Sequence, residues 1–141
     1  HVEEIFRKTK GVKSTQVGYS GGMKQNPTYE DVCTDTTGHA ESVEVVYNPE
    51  EISYENLLKI FWDNHNPTTP NRQGPDIGTQ YRSVIFFHTP EQEKTALEMK
   101  KNLNPMAKEK FNGEILTEIK PIQEFYRAEE YHQQYFEKSN F

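Results

Sequence analysis

The chain has 141 residues, which suits a single domain, and its net charge of −6 offers no basic surface for nucleic acid. Aromatic residues make up 12% of the chain, more than is typical of disordered segments, and no apolar run is long enough to span a membrane. One cysteine allows neither an internal disulfide framework nor an all-cysteine zinc site. We therefore expect one domain over residues 1–141 in a reducing, cytoplasmic compartment, without nucleic acid or membrane partners.

Apolar periodicity predicts helices and strands along the whole chain. The expected elements are a helix from Val2 that ends before Gly11, strands at 12–20 and 39–47, a helix capped by Ser53, a strand at 81–87, a helix that begins after Thr89, a strand at 114–120 and a helix at 128–138. Residues 23–38 are expected to be loop-like. The connection 64–80 is long for a compact domain, which favours a functional role.

The order of these elements predicts the fold class. One additional strand in front would give β-α-β-β-α-β, the ferredoxin-like split unit. We therefore predict an α+β fold with a ferredoxin-like core and extra C-terminal elements, whose first strand is missing from this sequence. The chain starts with His1, and no cap precedes Val2, as expected of a chain that begins inside a helix.

Glu41 is the most suggestive polar position because it lies in the predicted strand at 39–47. Strand alternation places its carboxyl on the same face as Val43, Val45 and Tyr47. If that face is the core, burial raises the pKa of the carboxyl, and a protonated carboxyl can donate a proton in catalysis. The alternative is a glutamate at a strand end that points to water, which is the commoner arrangement.

Tyr29, Tyr81 and Asp76 lie in or beside predicted loops. Each phenol offers a hydrogen-bond donor on a rigid apolar ring, although the pattern alone favours core packing for either tyrosine. Asp76 lies in the Gly-Pro-Asp-Ile-Gly stretch at 74–78, where a turn-forming role is the alternative. Spacing alone does not choose between these readings.

Cys33 is the only thiol, and Asp31 and Asp35 on either side would raise its pKa. We interpret it as a buried, unreactive cysteine. The triplet at 39–41 is similar to the His-x-Glu of zinc-dependent nucleobase deaminases, but the downstream Pro-Cys-x-x-Cys that they need is absent. The other histidines show no ligand spacing, so we expect no metal and no cofactor.

Five blocks of the sequence resemble the A-type peptide methionine sulfoxide reductases, and together they extend over most of the chain in the family's order. They are Gly-Tyr-Ser-Gly-Gly at 18–22, Asn-Pro-Thr-Tyr-Glu-Asp-Val-Cys at 26–33, Thr-Gly-His-Ala-Glu at 37–41, Asn-Arg-Gln-Gly-Pro-Asp-Ile-Gly-Thr-Gln-Tyr-Arg-Ser at 71–83 and Ala-Glu-Glu-Tyr-His-Gln-Gln-Tyr at 128–135.

The resemblance implies reduction of the S epimer of methionine sulfoxide, free or in oxidised proteins. A sulfoxide oxygen only accepts hydrogen bonds, and the family's site matches a donor set of Tyr29, Tyr81 and a protonated Glu41, with Asp76 supporting it through hydrogen bonds. A thiolate attacks sulfur while Glu41 protonates the departing oxygen, which gives methionine and a cysteine sulfenic acid. A second thiol, usually of thioredoxin, then reduces that acid.

Two departures from the family pattern concern the thiols. The family's nucleophile lies in Gly-Cys-Phe-Trp, whose Trp would directly precede His1, and the same segment supplies an aromatic pocket for the substrate methyl. We expect that nucleophile, cysteine or selenocysteine, upstream of His1, and we expect the 141 residues alone to be inactive. No cysteine lies near Phe141, so recycling would need an external thiol or thioredoxin itself. The alternatives are a catalytically inactive domain that binds sulfoxides or peptides, and Cys33 as the nucleophile.

Overall fold

A computed structural model of the chain describes residues 2–22, 28–29, 38–123 and 125–127. Within these ranges, helices and strands are mixed, as the α+β prediction requires. The helices are α1 (Val2–Arg7), α2 (Tyr54–Asp63) and α3 (Pro90–Phe111), and a short 3₁₀ helix covers Thr79–Tyr81. The strands are β1 (Val12–Ser20), β2 (Ala40–Tyr47), β3 (Arg72–Gln73), β4 (Asp76–Ile77), β5 (Val84–Phe87), β6 (Glu118–Pro121) and β7 (Tyr126–Arg127). The predicted helix at 128–138 and most of the loop at 23–38 lie outside the described residues.

The described strands form three separate sheets. One sheet has the order β2-β1-β7 with antiparallel neighbours, the second pairs β5 and β6 in parallel, and the third is the β3–β4 hairpin. In these parts of the chain, β2 and β5 each pair on one side only. The missing first strand of a ferredoxin-like core stays a prediction.

Three apolar clusters hold these elements together. The largest packs α2 and α3 against β5, and its buried members are Leu58, Trp62, Ile85, Ala96, Ala107 and Ile115. A second cluster joins α1 to α2 through Phe6, Ile52 and Leu57, and a third lies on β1 around Val17 and Tyr19. Among the described helices, none has the length and apolar character needed to cross a bilayer.

Both predicted helix caps are confirmed. Ser53 Oγ accepts a hydrogen bond from the backbone N–H of Asn56 at 3.1 Å, and Thr89 Oγ1 accepts one from Gln92 at 3.2 Å. The Gln92 side chain accepts the backbone N–H of His88 at 2.7 Å, one residue before the cap. These contacts satisfy N–H groups that the first helical turn leaves unpaired.

The strands predicted at 81–87 and 114–120 are shorter than expected. Tyr81 belongs to the 3₁₀ helix, and β5 begins at Val84. At the second strand, the backbone N–H of Ile115 bonds Asn104 Oδ1 at 2.8 Å and that of Leu116 bonds the Pro67 carbonyl at 2.7 Å. Because these groups bond outside a strand ladder, β6 begins only at Glu118.

Candidate functional site

The face of the β1–β2 pair that carries Glu41 is a core face over most of its length. Tyr19 lies opposite Glu41 and Val17 opposite Val43, and directly opposed residues of antiparallel strands project to the same side. Tyr29 packs against the cluster formed by Val17 and Tyr19, together with Val43. The sheet thus brings Tyr29 to the face whose first residue on β2 is Glu41.

Glu41 combines solvent contact with a raised carboxyl pKa. Its side chain is exposed, as the strand-end alternative predicts. Yet enough protein surrounds the carboxyl for burial to raise its pKa above the usual 4.5, and the nearby Asp76 carboxylate raises it further. Burial and the Asp76 charge thus shift the pKa of the Glu41 carboxyl in the same direction.

Asp76 reaches this region through the β3–β4 hairpin. Asp76 pairs with Gln73 in the hairpin, and its side chain is exposed. The Gln73 amide bonds both backbone groups of Asn66, donating to the carbonyl at 2.7 Å and accepting the N–H at 3.2 Å. The connection 64–80, predicted to be a long loop, is therefore an ordered hairpin that holds one carboxylate near Glu41.

Tyr81 lies at the end of the 3₁₀ helix, which contacts β2. The backbone N–H of Tyr81 bonds the Gly78 carbonyl at 3.0 Å. The Arg82 guanidinium donates from Nη1 to the Thr79 carbonyl at 2.9 Å and pairs through Nε with Glu118 Oε2 at 2.9 Å. Tyr81 is half-buried, and the turn that carries it is tied to β6 by an ion pair with a largely buried arginine.

The geometry thus relates the four residues singled out from the sequence. Asp76 acts electrostatically on Glu41, the 3₁₀ helix with Tyr81 contacts the strand of Glu41, and Tyr29 packs on the same sheet face. Cys33 lies outside the described residues. Within the described ranges, no cluster of three His, Cys, Asp or Glu side chains is placed to hold a metal ion.

A cavity of about 440 Å³ lies elsewhere, between α2 and the C-terminal half of α3. Its walls include Trp62, Leu103, Met106 and Phe111, and none of the four candidate site residues lines it. We place the site at Glu41 because the acid, the second carboxylate and the phenols have a chemistry that the mainly apolar cavity lacks.

Sequence reasoning assigned no role to His39, beside the site. His39 is buried, its Nδ1 accepts the backbone N–H of Gly22 at 3.1 Å, and its ring packs edge-on against Tyr126 at 5.6 Å. These contacts hold the Gly-Gly turn after β1, where a Cβ on Gly21 would lie 2.6 Å from the Phe86 ring. The triplet at 39–41 was the available signal, and it was considered as a zinc motif and as part of the family block at 37–41, without a role for His39.

Comparison with known proteins identifies the family. The family model of peptide methionine sulfoxide reductase matches residues 1–141. The chain belongs to this family. It is 60% identical over 137 residues to a peptide methionine sulfoxide reductase MsrA of Methanoculleus marisnigri, covering 97% of this chain and 82% of the relative. It is 58% identical over 140 residues to the MsrA of Methanosarcina acetivorans, covering 99% of this chain and 73% of the relative.

Solved structures of the family have the same fold. Methionine sulfoxide reductase A of Corynebacterium diphtheriae superposes with a TM-score of 0.92 at 42% identity, covering 96% of this chain and 68% of that one. Reduced Mxr1 of Saccharomyces cerevisiae superposes with a TM-score of 0.88 at 40% identity, covering 96% and 77%. The α+β prediction and the resemblance are confirmed, and the protein is an oxidoreductase of methionine sulfoxide.

Proposed function

We propose that Glu41 is the proton donor in reduction of the S epimer of methionine sulfoxide, free or within oxidised proteins. The observation that carries this assignment is the raised pKa of the Glu41 carboxyl, on a sheet face that Tyr29 also packs against. A sulfoxide oxygen accepts hydrogen bonds but donates none. A site for it therefore needs protonated donors, and a carboxyl held in its neutral form is one.

The proposed reaction conserves atoms and electrons. A thiolate attacks the sulfoxide sulfur and forms a sulfur–sulfur bond while Glu41 protonates the oxygen. The sulfur–oxygen bond then breaks as the resulting hydroxyl is transferred to the thiol sulfur, and the sulfur–sulfur bond breaks with its electron pair returning to the substrate sulfur. The sulfoxide is reduced to the thioether of methionine, and the thiol is oxidised to a sulfenic acid. Tyr29 and Tyr81 donate hydrogen bonds that strengthen as charge builds on the oxygen, which stabilises the transition state.

We assign the nucleophile to the family's Gly-Cys-Phe-Trp segment, placed directly before His1. The match of the family model over residues 1–141 supports this assignment. Cys33 remains the alternative nucleophile. Thioredoxin or a small thiol would reduce the sulfenic acid, and a cytoplasmic location remains a prediction from the single cysteine.

A chiral substrate assay tests the proposed function. A longer chain that carries Gly-Cys-Phe-Trp before His1 is incubated with racemic methionine sulfoxide and dithiothreitol, and both epimers are followed by chiral chromatography. We expect the S epimer to be consumed while the R epimer persists. Consumption of the R epimer, or of neither, would contradict the proposal.

The 141-residue chain is the matched control for the nucleophile, and we expect it to reduce neither epimer. If it does reduce the S epimer, alkylation of Cys33 decides the next step. Activity lost on alkylation would make Cys33 the nucleophile, whereas surviving activity would exclude every thiol of this sequence.

A further inference from the structure

A chain of side-chain hydrogen bonds runs behind the segment that carries Tyr81. Trp62 Nε1 lies 2.9 Å from Thr117 Oγ1, Thr117 Oγ1 lies 2.7 Å from Ser83 Oγ, and Ser83 Oγ lies 2.8 Å from His65 Nε2. The other ring nitrogen of His65 lies 2.6 Å from the Phe61 carbonyl oxygen. Trp62, Ser83 and Thr117 are buried, so this chain lies largely out of water.

The direction of every bond in the chain follows from its two ends. An indole N–H only donates and a carbonyl oxygen only accepts, so Trp62 donates to Thr117 and His65 Nδ1 donates to Phe61. Neutral His65 then accepts at Nε2 from the Ser83 hydroxyl. Because the Ser83 proton is committed, the Thr117 hydroxyl must donate to Ser83. Each proton has one acceptor, and Ser83 and Thr117 each accept from one side chain and donate to another.

Ser83 follows Tyr81 by two residues, and its backbone is anchored as well. The Ser83 carbonyl accepts the N–H of Glu118 at 3.0 Å, and Lys100 Nζ donates to the carbonyl of Thr117 at 2.8 Å. Arg82 lies between Tyr81 and Ser83, and its ion pair with Glu118 joins the same segment to β6. The buried chain thus adds a side-chain anchor next to the turn that presents the Tyr81 phenol.

We propose that Ser83, held between His65 and Thr117, is a positioning residue for the Tyr81 hydroxyl in sulfoxide reduction. This inference rests on the proposed role of Tyr81. Removal of the Ser83 hydroxyl leaves His65 Nε2 without its donor and frees the Thr117 proton, so the segment can shift. A displacement well below the size of an atom is enough to weaken a hydrogen bond to a transition state.

A double-mutant cycle in the longer protein tests this inference. Ser83→Ala is made alone and together with Tyr81→Phe, and kcat and KM for the S epimer are measured for all four proteins. We expect Ser83→Ala to lower kcat about tenfold with little change in KM, but by less than about twofold when Tyr81 is already Phe, because residues that act as a unit are not additive. Equal fold losses in both backgrounds would overturn the proposal.

Two further comparisons separate positioning from loss of stability. Ile115→Ala removes apolar volume from the cluster that contains Trp62 but removes no donor or acceptor of the hydrogen-bond chain. We therefore expect a lower melting temperature and an unchanged kcat. If Ser83→Ala does not fold, Thr117→Val removes a hydroxyl and keeps the shape, while Thr117→Ser keeps the hydroxyl. We expect Ser to preserve kcat and Val to lower it severalfold, and equal kcat values for the two would contradict the inference.

Hydrogen exchange on the 141-residue chain gives a readout that needs no activity. The N–H of Tyr81 bonds Gly78 and that of Arg82 bonds Thr79. We expect Ser83→Ala to accelerate exchange at these two amides about tenfold more than in the β1–β2 ladder. A uniform acceleration would contradict the positioning role while leaving the proposed function intact. A longer protein that folds normally but is inactive even without the Ser83 substitution would contradict the proposed function, and the positioning role in sulfoxide reduction with it.

Discussion

The candidate site and the buried hydrogen-bond chain meet at the segment 81–83, and their polar groups are arranged in opposite ways. At the site, Glu41 and Asp76 are exposed carboxyls close enough to repel each other. In the buried chain, Ser83, Thr117 and their neighbours form a sequence of donors and acceptors in which each group is matched. The site places two like charges close together, whereas the buried chain consists of neutral groups in which every hydrogen-bond donor has an acceptor.

This difference shows that polar composition alone does not identify a functional site. A fully matched network holds elements in place, since breaking one link leaves a buried group unpaired. Two neighbouring carboxylates repel each other, and the repulsion raises the pKa of Glu41, which favours its protonated form. Mutations in the buried hydrogen-bond chain should change stability or the position of the segment, and mutations of the site carboxyls should change turnover.

The largest expected effect is on turnover and comes from Glu41→Gln in the longer protein. The amide keeps the shape but has no acidic proton, so we expect kcat to fall by about 10²–10⁴-fold, the range for removal of a general acid. The side chain is exposed, so the melting temperature should stay within error. Turnover within about threefold of the unmodified protein would remove Glu41 from the acid role.

Tyr81→Phe and Tyr29→Phe should each lower kcat, by about 10²-fold, near the lower limit for loss of one preorganised donor. Tyr54→Phe is the matched control. Tyr54 packs against the large apolar cluster, and burial raises the pKa of its phenol to about 12, but it takes no part in the site. If all three variants lose kcat equally, the tyrosines act through packing and the donor assignment is wrong.

Local signals made part of this fold predictable. A Gly-Gly pair follows β1 at 21–22, and the observed bounds of Val12–Ser20 match the prediction. Ser53 and Thr89 each accept a hydrogen bond from the backbone N–H three residues later, so the local sequence is enough to predict both caps. Where the bonding partners lie within a few residues, the sequence alone was sufficient.

Non-local bonds explain what sequence reasoning missed. The 3₁₀ helix at Tyr81 replaces a predicted strand, and the turn is braced by an arginine that pairs with Glu118 on β6. The side-chain partners in the buried hydrogen-bond chain are 18, 34 and 55 residues apart in sequence, with no periodicity to connect them. Alternation singled out Glu41, but only the fold brings it near Asp76, which lies on a different sheet.

The next prediction concerns only the buried hydrogen-bond chain: His65 should make the free energy of unfolding depend on pH. Burial lowers the pKa of His65 below its usual 6.5, while its bond to Phe61 opposes the shift. The unfolded chain therefore binds a proton at His65 below about pH 6.5 that the folded chain does not bind. This contribution to stability is complete above that pH and is lost as the pH falls towards the lower, folded pKa.

Urea unfolding at pH 7.5 and pH 5.5 measures this effect. We expect the free energy of unfolding to fall at pH 5.5, and we expect the fall to be smaller in His65→Gln, which cannot take up a proton. An imidazolium would also need to donate from Nε2, which reverses the Ser83 and Thr117 hydroxyls and leaves the Thr117 proton without its acceptor. The same pH loss in both proteins would mean that His65 is not the titrating group.

The smallest expected effect lies at the site and concerns the pH profile of Asp76→Asn. Burial is the larger cause of the raised pKa of Glu41, and the charge of Asp76 is the second. Loss of that charge lowers the pKa of Glu41, so its proton is lost at lower pH. The basic limb of kcat/KM should therefore move to lower pH, while the acid limb stays.

Asp63→Asn, an equal change of charge at an exposed residue of α2, is the control and should leave the profile unchanged. A lower plateau without movement of the limb would mean that Asp76 supports the site through hydrogen bonds alone. Movement of the limb in Asp76→Asn but not in Asp63→Asn would instead identify the repulsion between two neighbouring carboxyls as one reason that Glu41 keeps its proton.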